Sequence, residues 1–211
     1  MLKPHLEIFD KKRLEVFEKL PLVTQDAVLT GGTALALQIG HRKSKDFDLA
    51  LRKPIKKSFL RKVNKVFRNY QTEPRVDSPN ELTILLNKVI KITYFHFPFP
   101  NLHALVSSDS LKLHSLYDIA SSKAHTIGRR GEWRDYVDLY FLLKKEKLNL
   151  EKIVSETKKR FRGEFDEKLF WQQLVYWQDL QDFNVAYLEK PVPKEKIQGF
   201  FRNLVKTRFC H

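Results

Sequence analysis

The sequence predicts an α+β chain: a mixed sheet with helices in its first half, followed by helices alone. Three observations predict it. Short apolar runs with strand-like alternation crowd the region before residue 98. Pro98-Phe99-Pro100-Asn101 then ends the strand pattern. Beyond it, apolar residues recur at helical spacing. With 211 residues the chain can form one large domain or two small ones, and the division is expected as a core over 1–105 and a helical domain over 106–211.

The elements are read in chain order. His5 to Leu20 is predicted helical, with Leu6, Phe9, Leu14, Phe17 and Leu20 on one side and Pro21 interrupting. Ala27-Val28-Leu29 is a short apolar run ending at Gly31-Gly32. A brief helical run, Thr33 to Ile39, stops at Gly40. Ser44 to Leu51 alternates, so Phe47, Leu49 and Leu51 share one face, and Asp46, Asp48 and Ala50 the other. Arg52 to Tyr70 is predicted as an amphipathic helix with Pro54 in its first turn. A short strand at Pro74–Asp77, a turn at Ser78-Pro79-Asn80, and two strands at Glu81–Asn87 and Val89–Phe97 follow, the last two as a hairpin. Ser115 and Asp118 suggest a capping-box start to a helix running to about Ile127. Gly128-Arg129-Arg130-Gly131 breaks it. Trp133–Leu143, apolar nearly all round, is a buried helix. Further helices are expected at about 150–162, 164–180 and 194–206, with a connector at 184–193. The aromatic stripe Phe165, Leu169, Leu174, Trp177 and Leu180 reads as core.

The chemistry concentrates in residues 29–51. Asp46 and Asp48 lie on one strand face about 6–7 Å apart. Like charges so close repel, which a divalent cation would relieve, and hard oxygen ligands suit Mg²⁺. Gly31-Gly32 before a helix start lets backbone approach a ligand, and the free N–H groups there attract phosphate. A phosphate cradle beside a metal clamp is equipment for nucleotidyl transfer. Each part alone has a plain reading: a Gly-Gly turn, and acids on a solvated strand.

Taken together, Gly31-Gly32, the gap, and Asp46-Phe47-Asp48-Leu49 resemble the nucleotidyltransferase fold shared with DNA polymerase β. The wording Gly31-Gly32-Thr33-Ala34-Leu35 with Arg42, Ser44, Asp46 and Asp48 resembles the AbiEii/AbiGii toxin branch of bacterial abortive-infection and toxin–antitoxin systems. The resemblance implies Asp46 and Asp48 holding Mg²⁺ on an NTP, and Gly31, Gly32, Thr33 and Ser44 cradling phosphates. Arg42 would bind phosphate or brace the strand. It implies transfer of an NMP, with an RNA such as the tRNA 3′ end as acceptor and an antitoxin protein as partner. Nucleotide or RNA binding without turnover, and protein AMPylation, are the alternatives.

Three later features are read against that pattern. Polymerase-β-like enzymes often carry a third acid on a strand such as Lys91–His96, where this chain has Thr93; Asp77 is taken as the nearest upstream acid. Lys123 falls inside the apolar stripe of its helix and must snorkel or pair with a negative group. Asp135 and Asp138 share a face of a buried helix and need partners, which Arg129, Arg130 and Arg134 could supply. In the toxin branch the settings Leu116-Tyr117-Asp118-Ile119-Ala120-Ser121-Ser122-Lys123 and Arg134-Asp135-Tyr136-Val137-Asp138-Leu139 belong to the active site. Lys123 would then contact phosphate, Asp135 act as base or orienting acid, and Asp138 support from behind.

The formal charge is +14, which favours encounter with polyanions. Between Arg52 and Arg68 stand eight basic residues and no acid, either a solvated face or a track for an RNA backbone. Lys158-Lys159-Arg160 and Arg162 form a second basic cluster. Cys210 is the single cysteine, so no internal disulfide or cysteine metal cluster is expected. With no secretory apolar core at its start and no run of membrane-spanning length, the chain is expected in the cytoplasm. The histidines show no zinc-ligand pairing and read as surface or satisfied core residues.

Overall fold

The computed structural model describes residues 2–209, leaving aside the side chain of residue 130; Cys210 lies outside the described residues. The chain forms two compact units. One holds the residues up to Phe99 together with Ala104–His114; the other holds Pro100–His103 and the residues from Ser115 onward.

The first unit is built on a six-stranded mixed sheet in the order β3-β4-β5-β2-β1-β6. Its strands are β1 (Val28–Thr30), β2 (Phe47–Leu51), β3 (Thr72–Asp77), β4 (Glu81–Leu86), β5 (Ile90–His96) and β6 (Lys112–Leu113). Strands β2 and β5 are parallel, as are β1 and β6; the remaining neighbours are antiparallel. The β4–β5 hairpin turns at Asn87 and Lys88, both in the left-handed region, as a tight hairpin turn requires. The two-residue β6 has too little pattern to be visible in sequence, and the expectation of helices alone after residue 101 is corrected here.

Alternation in β2 sorts its side chains as predicted. Phe47 is fully buried against Phe9 and Phe17, with ring centroids 5.3 and 6.4 Å away. Phe9 precedes helix α1 (Lys11–Val23), which carries Phe17. Leu49 is in register with Tyr94, whose ring meets Phe59 of helix α3 (Phe59–Val66) edge-on at 5.0 Å. Helices α1 and α3 thus cover the Phe47 face, and Asp48 stands on the opposite one.

Two helix predictions change at the N-terminal end. Leu6–Ile8 forms only a 3-10 turn, and α1 begins at Lys11 because the Asp10 carboxylate caps it, accepting from the Arg13 N–H at 2.9 Å. Pro21 lies inside the helix rather than ending it. Proline removes the bond to the carbonyl four residues back, and that carbonyl, on Phe17, accepts from Ser110 Oγ at 3.1 Å instead. Similarly, α3 is shorter than the predicted 52–70. Residues 52–58 form bends and a turn, with Pro54 outside the helix.

The second unit is helical: α4 (Leu116–Arg130), α5 (Trp133–Lys144), α6 (Leu150–Arg160), α7 (Glu167–Gln173) and α8 (Lys194–Phe209). Gly128 does not break α4. A Cβ there would come within 3.5 Å of the Phe170 backbone, so the glycine permits close packing of α7. Of the predicted stripe, Leu174 and Trp177 are buried, Phe165 and Leu180 are half-buried and Leu169 is exposed; α7 covers only seven residues and buries Phe170 and Trp171 instead. No described helix is long and apolar enough to cross a membrane.

Candidate functional site

In the first unit, β1 delivers the chain to Gly31 and β2 returns beside it, with Thr30 in register with Asp48. Gly31 opens helix α2 (Gly31–Ile39) with φ +67°, a left-handed conformation that strains any side chain. A Cβ there would meet Asp48 Oδ2 at 3.1 Å. Glycine is therefore required twice over, by conformation and by the close approach of the Asp48 carboxylate. Gly32 follows it in the first turn of α2, where backbone N–H groups lack helical partners.

The loop between α2 and β2 is fixed by its own polar side chains. Gly40, with φ +62°, ends α2 and donates its N–H to Ala36 O at 2.8 Å. Thr33 Oγ1 lies 2.6 Å from Ser44 Oγ and donates to the Asp46 carbonyl. Thr33, Ser44 and Arg42 are all buried. Thr33 and Ser44 thus bind the loop to the helix and set the Asp46 backbone. Arg42 donates to the Lys43 carbonyl at 3.1 Å.

Asp46 is about one-third exposed and has Lys91 Nζ at 3.6 Å. Asp48 is half-buried and in register with Thr93 of β5. Thr93 in turn pairs with Thr83 of β4, so Asp48, Thr93 and Thr83 form one polar row across three strands. Thr83 Oγ1 is 3.2 Å from Thr93 Oγ1 and 2.7 Å from Glu81 Oε1. Glu81 is the acid that sequence reasoning passed over in favour of Asp77. Asp77 sits on the exposed edge strand β3, whereas two-residue alternation along β4 puts Glu81 on the Thr83 face. His114 joins from the other side, its Nδ1 2.8 Å from Thr30 Oγ1 in a buried contact.

In the second unit, α4 and α5 bring together the other predicted residues. Lys123 is 8% exposed; it does not snorkel. Its Nζ lies 2.7 Å from Asp135 Oδ1 and 2.7 Å from Asp138 Oδ2. Of the predicted arginine partners, Arg134 pairs with Glu132 at 2.8 Å and Arg129 with Glu164 at 3.6 Å, while the side chain of Arg130 lies outside what is described. Asp138 is fully buried, while the Asp135 side chain retains some access. Asp135 also accepts the Glu132 N–H at 2.9 Å and so closes a capping box at the start of α5.

Asp118 has a structural task. Ser115 Oγ accepts the Asp118 N–H, but the Asp118 carboxylate does not return to the Ser115 backbone as a capping box would. It accepts the backbone N–H groups of Leu102 and His103 at 2.9 and 3.2 Å, and pairs with Arg160 at 3.5 Å. Arg160 is buried and donates to Pro100 O at 2.9 Å. It therefore leaves the second basic cluster, as does Lys158, which pairs with Glu167. His103 and Glu156 form a further pair at 2.9 Å, and the His125 ring stacks on Phe161 at 4.0 Å. Burial lowers the pKa of His125 and favours its neutral form.

Among the described residues no three His, Cys, Asp or Glu side chains assemble into a ready metal cage. The carboxylates of Asp46 and Asp48 nevertheless fit Mg²⁺, which typically takes one or two protein carboxylates and completes its shell with phosphates and water.

Comparison with known proteins agrees with the fold and the family resemblance. The family described as nucleotidyl transferase AbiEii toxin, Type IV TA system, matches residues 17–207. The uncharacterized protein aq_aa25 of Aquifex aeolicus is 31% identical over 203 residues, covering 93% of this chain and 95% of that one. Two solved structures share the fold. JHP933 of Helicobacter pylori has a TM-score of 0.54 at 18% identity, covering 94% of this chain and 90% of its own. MenT4, a nucleotidyltransferase toxin of Mycobacterium tuberculosis, has a TM-score of 0.56 at 14% identity, covering 90% and 80%. The chain belongs to the AbiEii nucleotidyltransferase toxin family.

Proposed function

We propose that the chain transfers a nucleoside monophosphate from an Mg-NTP to an acceptor RNA, such as the tRNA 3′ end, and so acts as a cytoplasmic toxin countered by an antitoxin protein. One observation carries the reading: the Asp48 carboxylate is held against the glycine backbone that opens α2, beside the exposed face of Asp46. That juxtaposition sets acidic oxygens next to unpaired N–H groups, a place where a cation and phosphate oxygens neutralise one another.

In this reading Asp46 and Asp48 would hold the Mg²⁺, whose chemistry is to draw charge from the triphosphate. Gly31 and Gly32 present backbone donors to phosphate. Thr33 and Ser44 act by fixing the loop, and Arg42 by bracing it, since all three are buried. Lys123 offsets charge developing on phosphoryl oxygens, and Asp135 orients the acceptor hydroxyl or receives its proton. Asp138, fully buried behind Lys123, holds the ammonium in place. Thr93 favours a second reading, nucleotide binding without turnover, because it puts a neutral hydroxyl where polymerase-β-like enzymes often carry an acid.

The test is incubation of the purified chain with Mg²⁺, each labelled NTP, and either total RNA or protein. Label in RNA supports the proposal, and label in protein replaces it with AMPylation. Nucleotide binding with no transfer supports the second reading. Asp48→Asn should abolish transfer; retained turnover would remove Asp48 from the mechanism.

A further inference from the structure

We propose that the groove at the end of β2, together with the exposed side of α3, is a landing surface for a nucleic-acid sugar–phosphate backbone. The groove has a volume of about 630 Å³, and its lining includes Arg52, Lys53, Lys56, Phe59, Lys62 and one acid, Asp26. It belongs to a longer basic run. Arg52, Lys53, Lys56, Lys57, Arg61, Lys62, Lys65 and Arg68 are all exposed. None of the eight forms an ion pair among the described residues.

Several other cations on this molecule are matched by acids. Lys145 has Glu189 at 3.5 Å, Lys152 has Glu156 at 3.8 Å, and Arg208 has Glu151 at 2.9 Å. Among the described residues no acid comes within ion-pair distance of the eight cations around α3, and Asp26, which lines the groove, pairs with none of them. Lys65 lies four residues after Arg61 and three after Lys62 on the helix, about 5–6 Å between Cβ atoms, where like charges repel. An extended polyanion relieves that repulsion along its whole length; a compact anion meets only part of it.

The chemistry of the groups selects the occupant. They are long, exposed side chains without a buried polar partner to fix a small ligand, which suits backbone contacts that position a strand without reading its sequence. The surface is distinct from the Asp46 and Asp48 face, because α3 covers the opposite side of the sheet. It would grip the body of an acceptor, leaving the reacting end free. The inference shares the RNA acceptor proposed above, but its test uses neither nucleotide nor metal.

The test measures binding of a fluorescein-labelled 30-nucleotide RNA, and of a DNA of the same length, by polarisation in EDTA. The groove variant Lys53→Glu/Lys56→Glu/Lys62→Glu is compared with Lys159→Glu/Lys190→Glu/Lys196→Glu, an exposed triple of equal charge change in the helical unit. The groove triple should weaken binding at least about tenfold and lower the slope of log K against log salt by roughly 2. The control triple should change affinity less than about threefold, as expected for long-range charge alone. A glutamine version of the groove triple should show the same order with a smaller loss, which guards against misfolding of the glutamate version. Binding of RNA or DNA in this pattern supports the proposal. Equal loss in both triples, no loss in either, or competition by poly-glutamate as strong as by RNA overturns it.

Discussion

Replacing Lys123 by methionine tests the charge cluster of the helical unit. The ammonium sits 2.7 Å from carboxylates on both Asp135 and Asp138, with side-chain exposures of 10%, 13% and 0%. Methionine keeps most of the volume and removes the charge. Two carboxylates then face one another across an apolar gap, one of them fully buried. Breaking a buried pair from one side costs about 3–5 kcal/mol. For a chain of this size that corresponds to a Tm lower by on the order of 10 °C. Urea denaturation followed by tryptophan fluorescence reads the change, since Trp133 lies at the start of α5. Adding Asp138→Asn to Lys123→Met should restore at least about 1 kcal/mol, because contacting residues do not act additively. Lys123→Met with wild-type stability, or a double variant less stable than the single, would refute the reasoning.

Three other predictions can be checked with purified protein. Gly31→Ala should cost about 1–2 kcal/mol from its left-handed φ alone, and should also weaken NTP binding by displacing Asp48; urea denaturation reads the first effect and calorimetric titration the second. Thr93→Asp puts a third carboxylate beside Asp48 and should lower stability without metal by about 1 kcal/mol, while Mg²⁺ should raise its Tm more than it raises that of the wild type. Lys158, then Trp171, hydrogen-bond to Glu167 and hold its carboxyl below the usual range. A depressed folded pKa stabilises above the unfolded value and is lost as pH falls through the folded one. Glu167→Gln should therefore be less stable than wild type at pH 7, by under about 1 kcal/mol, and the gap should close as pH falls below 4.

How much was legible depended on how local the cause is. Alternation over Phe47–Leu51 gave the two faces of β2, because one face is buried and the strand is long enough to show a period. Gly31 and Gly40 marked real turns because each takes a positive φ. Elements whose reason is distant were missed. Pro21 stays helical because Ser110 satisfies the carbonyl that proline orphans, a partner far along the chain. Gly128 reads as a breaker until the α7 backbone is seen packed on it. At the candidate sites the residue types were legible but their pairings were not. Three arginines near Asp135 and Asp138 looked like sufficient partners, yet the ammonium of Lys123, one helix away, sits between the acids. Glu81 was within reach of strand alternation, but its link to Thr93 runs through the Thr83 hydroxyl on a neighbouring strand, which no sequence pattern marks.

The most direct measurement is a crystal structure with Mn²⁺ and a non-hydrolysable NTP, using the anomalous signal to place the metal. The expected result is a Mn²⁺ peak bound by Asp46 and Asp48, with the triphosphate against Gly31 and Gly32. A metal bound elsewhere, or a triphosphate seated away from both carboxylates, would contradict it.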